Sequence, residues 1–257
     1  MLLLQEMCVF RAASPVTRPP RRNPAGCSRR QIASGWRLGL LTLALAGIAL
    51  ARIDGVQAAP AQGCESGVLR RVQQDYATLQ GFRAGFTQQD RAPDGRLREA
   101  RGEVEYRRPG KMRWTYLPPQ EQLLVTDGVT VWLYDPLLEN VTVQPLKDLT
   151  QGTPLSFLLG AGNLESDFTC RPFTRPPPED GLVYAELVPK TPIPGLTYIQ
   201  LGAEASGGRI ASLLMVDSQG NERQVRFQEL RPDGSIPLER FTFVITPGME
   251  VIRKEVQ

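Results

Sequence analysis

Between Gly102 and Pro136 apolar and polar residues alternate in four runs. Val104 and Tyr106 oppose Glu103, Glu105 and Arg107, and Met112, Trp114 and Tyr116 oppose Lys111, Arg113 and Thr115. Successive strand side chains point to opposite faces, so this period of two predicts an antiparallel sheet with an aromatic inner face and a solvated outer one. Arg-Pro-Gly, Pro-Pro-Gln and Asp-Gly separate the runs, and Asp-Gly between alternating runs is a strong hairpin signal. Glu103 and Glu105 read as surface residues rather than an acid pair. Arg108 breaks the pattern by falling on the apolar side, where a charge is costly unless hydrogen-bonded or paired. At a strand end beside Pro109, it can also reach water by snorkelling.

The same reading extends in both directions. Val68, Val72, Tyr76 and Leu79 form one stripe at helical spacing, predicting a helix over 65–80 that Gly81 ends. Phe82, Ala84 and Phe86 then alternate as a first strand that runs to about Asp90, and Pro93-Asp94-Gly95 turns it into the central sheet. Further strands are predicted over 140–146, 182–188, 196–203, 210–216, 224–229 and 241–245, with a short helical turn at Pro237-Leu238-Glu239. Thr153-Pro154 starts a helix in which Leu155, Phe157 and Leu158 leave few polar sides, so it must cover something apolar. About ten strands with few helices predict a mainly β (α+β) chain built on a strongly curved antiparallel sheet or an open barrel with helices over its mouth.

Leu38–Leu50 is an apolar run of 13 residues, short for a membrane span and suited to a signal-peptide core. Val56-Gln57-Ala58 then predicts cleavage before Ala59, giving a leader over 1–58 and one domain over 59–257. The leader carries eight arginines and two acids, leaving 22 of the 30 basic and 25 of the 27 acidic residues for the domain. That balance argues against nucleic-acid binding. Cys8 and Cys27 leave with the leader, while Cys64 and Cys170 remain in an oxidising compartment as a candidate disulfide, with two free thiols as the alternative. Gln62 and Ala61 fit a lipid-attachment signal before Cys64 poorly, so an anchored N-terminus is not expected.

The chain contains no histidine, which removes Ser-His-Asp and Cys-His catalysis and most zinc sites. No phosphate loop, Cys-x-x-Cys or nucleophile elbow appears, so neither an enzyme nor a cofactor or metal is expected. What remains is an excess of aromatic residues: Phe82, Phe86, Tyr106, Trp114, Tyr116, Phe241 and Phe243, with Trp132 and Tyr134 on their own strand. An ordinary core and a concave apolar site closed by the 155–159 helix both satisfy this pattern.

Phe86-Thr87-Gln88, Gly102, Arg107-Arg108-Pro109, Arg113-Trp114, Thr126-Asp127-Gly128, Trp132-Leu133-Tyr134-Asp135-Pro136 and Thr153-Pro154, in this order and spacing, resemble the outer-membrane lipoprotein carrier family (LolA-like). Phe241-Thr242-Phe243 with Pro247-Gly248-Met249-Glu250-Val251 resembles that family's C-terminal strand. The resemblance implies an unclosed antiparallel β-barrel with an α-helical lid over a hydrophobic cavity. It also implies a monomeric periplasmic shuttle that takes triacylated lipoproteins from an inner-membrane ABC transporter and passes them to an outer-membrane acceptor lipoprotein. Arg108 maps to the family's lid latch, which reaches lid carbonyls. Phe82, Phe86, Tyr106, Met112, Trp114, Tyr116, Trp132, Leu155, Phe157, Leu158, Phe241 and Phe243 would line the acyl-chain cavity. Met112 stands where an aromatic is common and fills irregular apolar space instead. A periplasmic sensor or acceptor protein of the same fold is the alternative reading.

Overall fold

The alternation read between Gly102 and Pro136 is realised as four consecutive strands in a computed structural model that describes residues 67–150 and 162–253. They belong to a 12-stranded sheet: β1 Gly81–Arg91, β2 Leu97–Arg107, β3 Lys111–Tyr116, β4 Gln122–Asp127, β5 Thr130–Asp135, β6 Asn140–Pro145, β7 Phe168–Arg171, β8 Leu182–Pro189, β9 Tyr198–Glu204, β10 Ile210–Val216, β11 Glu222–Pro232 and β12 Glu250–Arg253. The spatial order is β12-β6-β5-β4-β3-β2-β1-β11-β10-β9-β8-β7. All neighbours pair antiparallel except β12, which runs parallel to β6. β12 and β7 therefore form the two edges, and the strongly curled sheet is unclosed.

The helix α1, Val68–Thr78, buries Val68, Val72 and Tyr76, the stripe that its spacing predicts. These side chains share one core with Phe82, Ala84, Val104, Tyr106, Met112, Val131 and Leu133, which fixes the inner face of the sheet as the one α1 covers. Burial raises the pKa of the Tyr76 phenol, whose oxygen also meets the Ile210 backbone amide and so ties α1 to β10. Gly81 does not cap the helix but opens β1. A Cβ there would lie 2.4 Å from the Asp233 carbonyl oxygen and 2.7 Å from that of Tyr106, so only glycine lets these backbones meet. Two short helices, α2 Lys147–Thr150 and α3 Leu164–Asp167, follow β6. Asn163 caps α3 by accepting from the amides of Glu165 and Ser166.

One predicted strand is replaced, and two observed strands fall outside the predicted set. The strand expected over 241–245 is absent: Leu238–Phe241 is a 3-10 helix, followed by extended chain that pairs with no strand. The helical turn predicted at Pro237-Leu238-Glu239 is its beginning. β7 and β12, four residues each, carry too little periodicity to be predicted. The residues of the predicted leader, 1–58, and of the predicted covering helix, including Leu155, Phe157 and Leu158, lie outside the described residues.

Candidate functional site

Register assembles the inner face row by row. Phe82, Tyr106 and Met112 are cross-strand neighbours, as are Ala84, Val104 and Trp114, and Phe86, Gly102 and Tyr116. Cross-strand neighbours share a face, so these rows make one apolar wall. Its rings are in contact: Phe82 lies 5.3 Å from Tyr106, and Phe86 lies 4.7 Å from Trp114 and 5.0 Å from Tyr116. Tyr76 of α1 meets Phe82 edge-on at 6.4 Å. Phe227 adds a ring 6.0 Å from Trp114, because β11 pairs with β1. The sequence reading missed Phe227: Val225 and Phe227 alternate visibly, but their place beside β1 is not written locally. Where the wall runs toward the β1–β2 turn it becomes polar. Tyr116 Oη donates to Gln88 Oε1 at 2.8 Å, Gln88 Nε2 donates to Asp90 Oδ2 at 2.9 Å, and Arg223 Nε donates to Asp90 Oδ1 at 2.5 Å.

Six of the twelve residues proposed for the cavity thus share the inner face: Phe82, Phe86, Tyr106, Met112, Trp114 and Tyr116. Trp132, Phe241 and Phe243 do not. Trp132 is opposite Val125, which is opposite Arg113, and this row lies on the outer face. Phe243 packs on Tyr134 of the same face at 5.5 Å. Phe241 is buried in the segment that crosses the outer face beside β3 and β4. Period two assigns side chains to faces within a strand; it cannot say that a later segment crosses to the back of the sheet.

That crossing also corrects the reading of the outer face as solvated. Glu103 is exposed, but Glu105 is buried, with its side chain 6% accessible. Arg240 of the crossing segment donates to Glu105 Oε2 from Nε at 2.9 Å and from Nη2 at 2.6 Å, and Arg83 Nη1 donates to Oε1. Arg107 Nη1 bonds the Ile236 carbonyl, and Arg113 Nη1 bonds that of Arg240 at 3.2 Å. Burial, then the neighbouring Arg240 charge, lowers the Arg113 pKa. Residues 233–249 therefore form a strap, anchored at its start by Asp233, which accepts from Ser235 Oγ at 2.6 Å and from Arg83 Nε at 2.9 Å.

Those two bonds and the Ser235 amide lower the Asp233 pKa from 3.8 to about 2. A depressed carboxyl pKa stabilises the fold above the unfolded value and loses that contribution as pH falls through the folded one. Wild type should therefore keep a constant stability advantage over Asp233→Asn above pH ~4 and lose it between pH ~4 and ~2. Urea unfolding of both proteins across that range checks this; an unchanged gap at the acid end would remove Asp233 as the anchor.

Arg108, flagged for its place on the apolar side, has partners. Its Nη1 donates to the Ala77 carbonyl in the last turn of α1 at 2.6 Å. It also donates to the Tyr106 hydroxyl, and this bond opposes the rise in phenol pKa that burial causes. The last carbonyls of a helix lack intrahelical donors, and a guanidinium supplies several N–H groups and favourable charge there. Arg108 thus fastens α1 to the end of β2. Cys170, on β7, is disulfide-bonded, and the other three cysteines of the chain lie outside the described residues.

The assembled site is a wall of methylene and ring surface with a helix pinned across one end and a polar cluster at the other. Such a surface favours apolar contact, and α1 covers part of it in the described residues. A family model described as "Outer membrane lipoprotein carrier protein LolA" matches residues 77–244. An outer-membrane lipoprotein carrier protein of Methylibium petroleiphilum is 35% identical over 183 residues, covering 68% of this chain and 87% of that protein. One of Leptothrix cholodnii is 32% identical over 229 residues, covering 88% and 99%. Among solved structures, a LolA superfamily protein of Nitrosomonas europaea aligns with a TM-score of 0.41 at 14% identity, covering 69% of this chain and 97% of that one.

Proposed function

The chain belongs to the outer-membrane lipoprotein carrier family, and from that membership we propose that its inner face holds the acyl chains of lipoproteins crossing the periplasm. As in that family, its function is that of a periplasmic lipoprotein carrier. The observation that carries the acyl-binding role is the wall of Phe82, Phe86, Tyr106, Met112, Trp114 and Tyr116 beneath a helix fastened by Arg108. Residues 1–58 act as the export leader, removed before Ala59, and Cys64 is the partner of Cys170.

Energetics constrain how such a carrier works. Each buried methylene is worth about 0.8 kcal/mol. Three full acyl chains would then exceed the roughly 18–21 kcal/mol at which non-covalent affinity saturates. A protein that must also release its cargo cannot bury all of that surface well. Closure of α1 through Arg108 competes with cargo and keeps affinity moderate. Loading then draws on an ATP-driven inner-membrane transporter, and unloading on an outer-membrane acceptor with a better site.

Uptake of a synthetic triacylated peptide by the mature chain, followed by native mass spectrometry, tests the reading. A stoichiometric adduct is expected for the acylated peptide and none for the same peptide without chains. A clean unliganded mass with both peptides would overturn acyl binding.

A further inference from the structure

The inner wall holds one feature that acyl methylenes do not explain. Trp114 stands in its middle row, between Phe86 and Phe227, and its Nε1 is buried with no hydrogen-bond partner among the described residues. An indole has a single donor and no acceptor, so no second bond compensates. Arg113 also has a buried Nε without a partner, but its guanidinium still donates through Nη1 to Arg240. A buried unpaired donor costs stability, and in a binding site it marks the place of an acceptor that arrives with the ligand.

We propose that Trp114 donates its indole N–H to an acyl carbonyl of the cargo and so fixes how far the chains enter the site. This rests on the carrier reading above. An acyl chain brings one kind of polar group into an apolar wall, the carbonyl at its head. The neighbours of Trp114 supply the polarity on either side. The row of Phe82, Tyr106 and Met112 runs toward α1 and is apolar. The next row the other way holds Tyr116, which leads to Gln88, Asp90 and Arg223. With the carbonyl at Trp114, the methylenes extend toward α1 and the glyceryl and peptide head meets the polar cluster. The wall therefore selects acylated head groups over plain hydrocarbon. The carbonyl belongs either to an ester-linked or to the amide-linked chain.

Binding of three synthetic peptides to the wild-type protein tests the assignment: a triacylated peptide, its analogue with both ester carbonyls replaced by ether methylenes, and its analogue with the third chain N-alkylated instead of N-acylated. One carbonyl-lacking analogue should bind about three- to tenfold more weakly, identifying the linkage, and Trp114→Phe should erase that difference. The indole ¹H–¹⁵N resonance of Trp114 in the wild-type protein should shift downfield with the full ligand and not with the weaker analogue, a readout that does not depend on the variant folding. Equal affinity for all three peptides with no indole shift would overturn the Trp114 subsite while leaving the carrier reading intact. Failure of all three to bind would overturn both.

Discussion

Gly102→Ala should destabilise the protein by about 3 kcal/mol, while Gly85→Ala on the neighbouring strand should change stability by less than about 1 kcal/mol. A Cβ on Gly102 would lie 2.0 Å from the Thr115 carbonyl oxygen and 2.6 Å from Phe86 Cε1. The oxygen belongs to the adjacent strand, so it can retreat only by breaking the β2–β3 pairing. The phenyl ring can retreat only by leaving the site between Trp114 and Tyr116. Overpacking a rigid core usually costs about 1–3 kcal/mol, and here both neighbours resist. At Gly85 the nearest atoms to a built Cβ are 3.8 Å away, which is ordinary contact. Urea unfolding of the two variants makes the comparison. If their midpoints fall together, the close approach at Gly102 is not what positions Phe86.

Arg108→Leu should give a protein that loads acylated peptide about ten- to a hundredfold more tightly and hands it on correspondingly slowly. A hydrogen bond from a charged group is worth about 1.5–3 kcal/mol, and Arg108 spends one on Ala77 in the closed arrangement. Where cargo enters by displacing α1, that free energy opposes binding. Removing it should then lower the stability of the empty protein and raise affinity for cargo by the same amount. The two effects come from separate experiments, chemical unfolding without ligand and peptide binding at equilibrium. A fall in stability with no gain in affinity would make Arg108 a structural bond and nothing more. Arg108→Lys, with a charge but no fork, should fall between the two.

The central sheet could be read from the sequence because period two is local information: Val104, Tyr106, Met112, Trp114 and Tyr116 needed only their own strands to be assigned to a face. Arg108 stood out for the same reason, as an exception to a local rule. What could not be read depends on residues far apart. Glu105 looks like any outer-face acid until Arg240, 135 residues later, is laid across it. Phe241 and Phe243 alternate as a strand would, yet they pack against the back of the sheet with no ladder partner. Phe227 reaches Trp114 only because β11 lies beside β1, an adjacency set by topology and not by any run of residues.

The two strands that end the sheet, β7 and β12, are each only four residues long. A barrel left open carries a hazard unrelated to its cargo: each free margin offers amides and carbonyls to which another polypeptide could add, the route to domain swapping and fibrous aggregation. Brief terminal strands offer such an intruder little to build on. The chain's own C-terminal segment occupies the β6 margin, in parallel alignment. Short margins, one of them occupied by the chain itself, thus let the sheet stay unclosed without acting as a template for polymerisation.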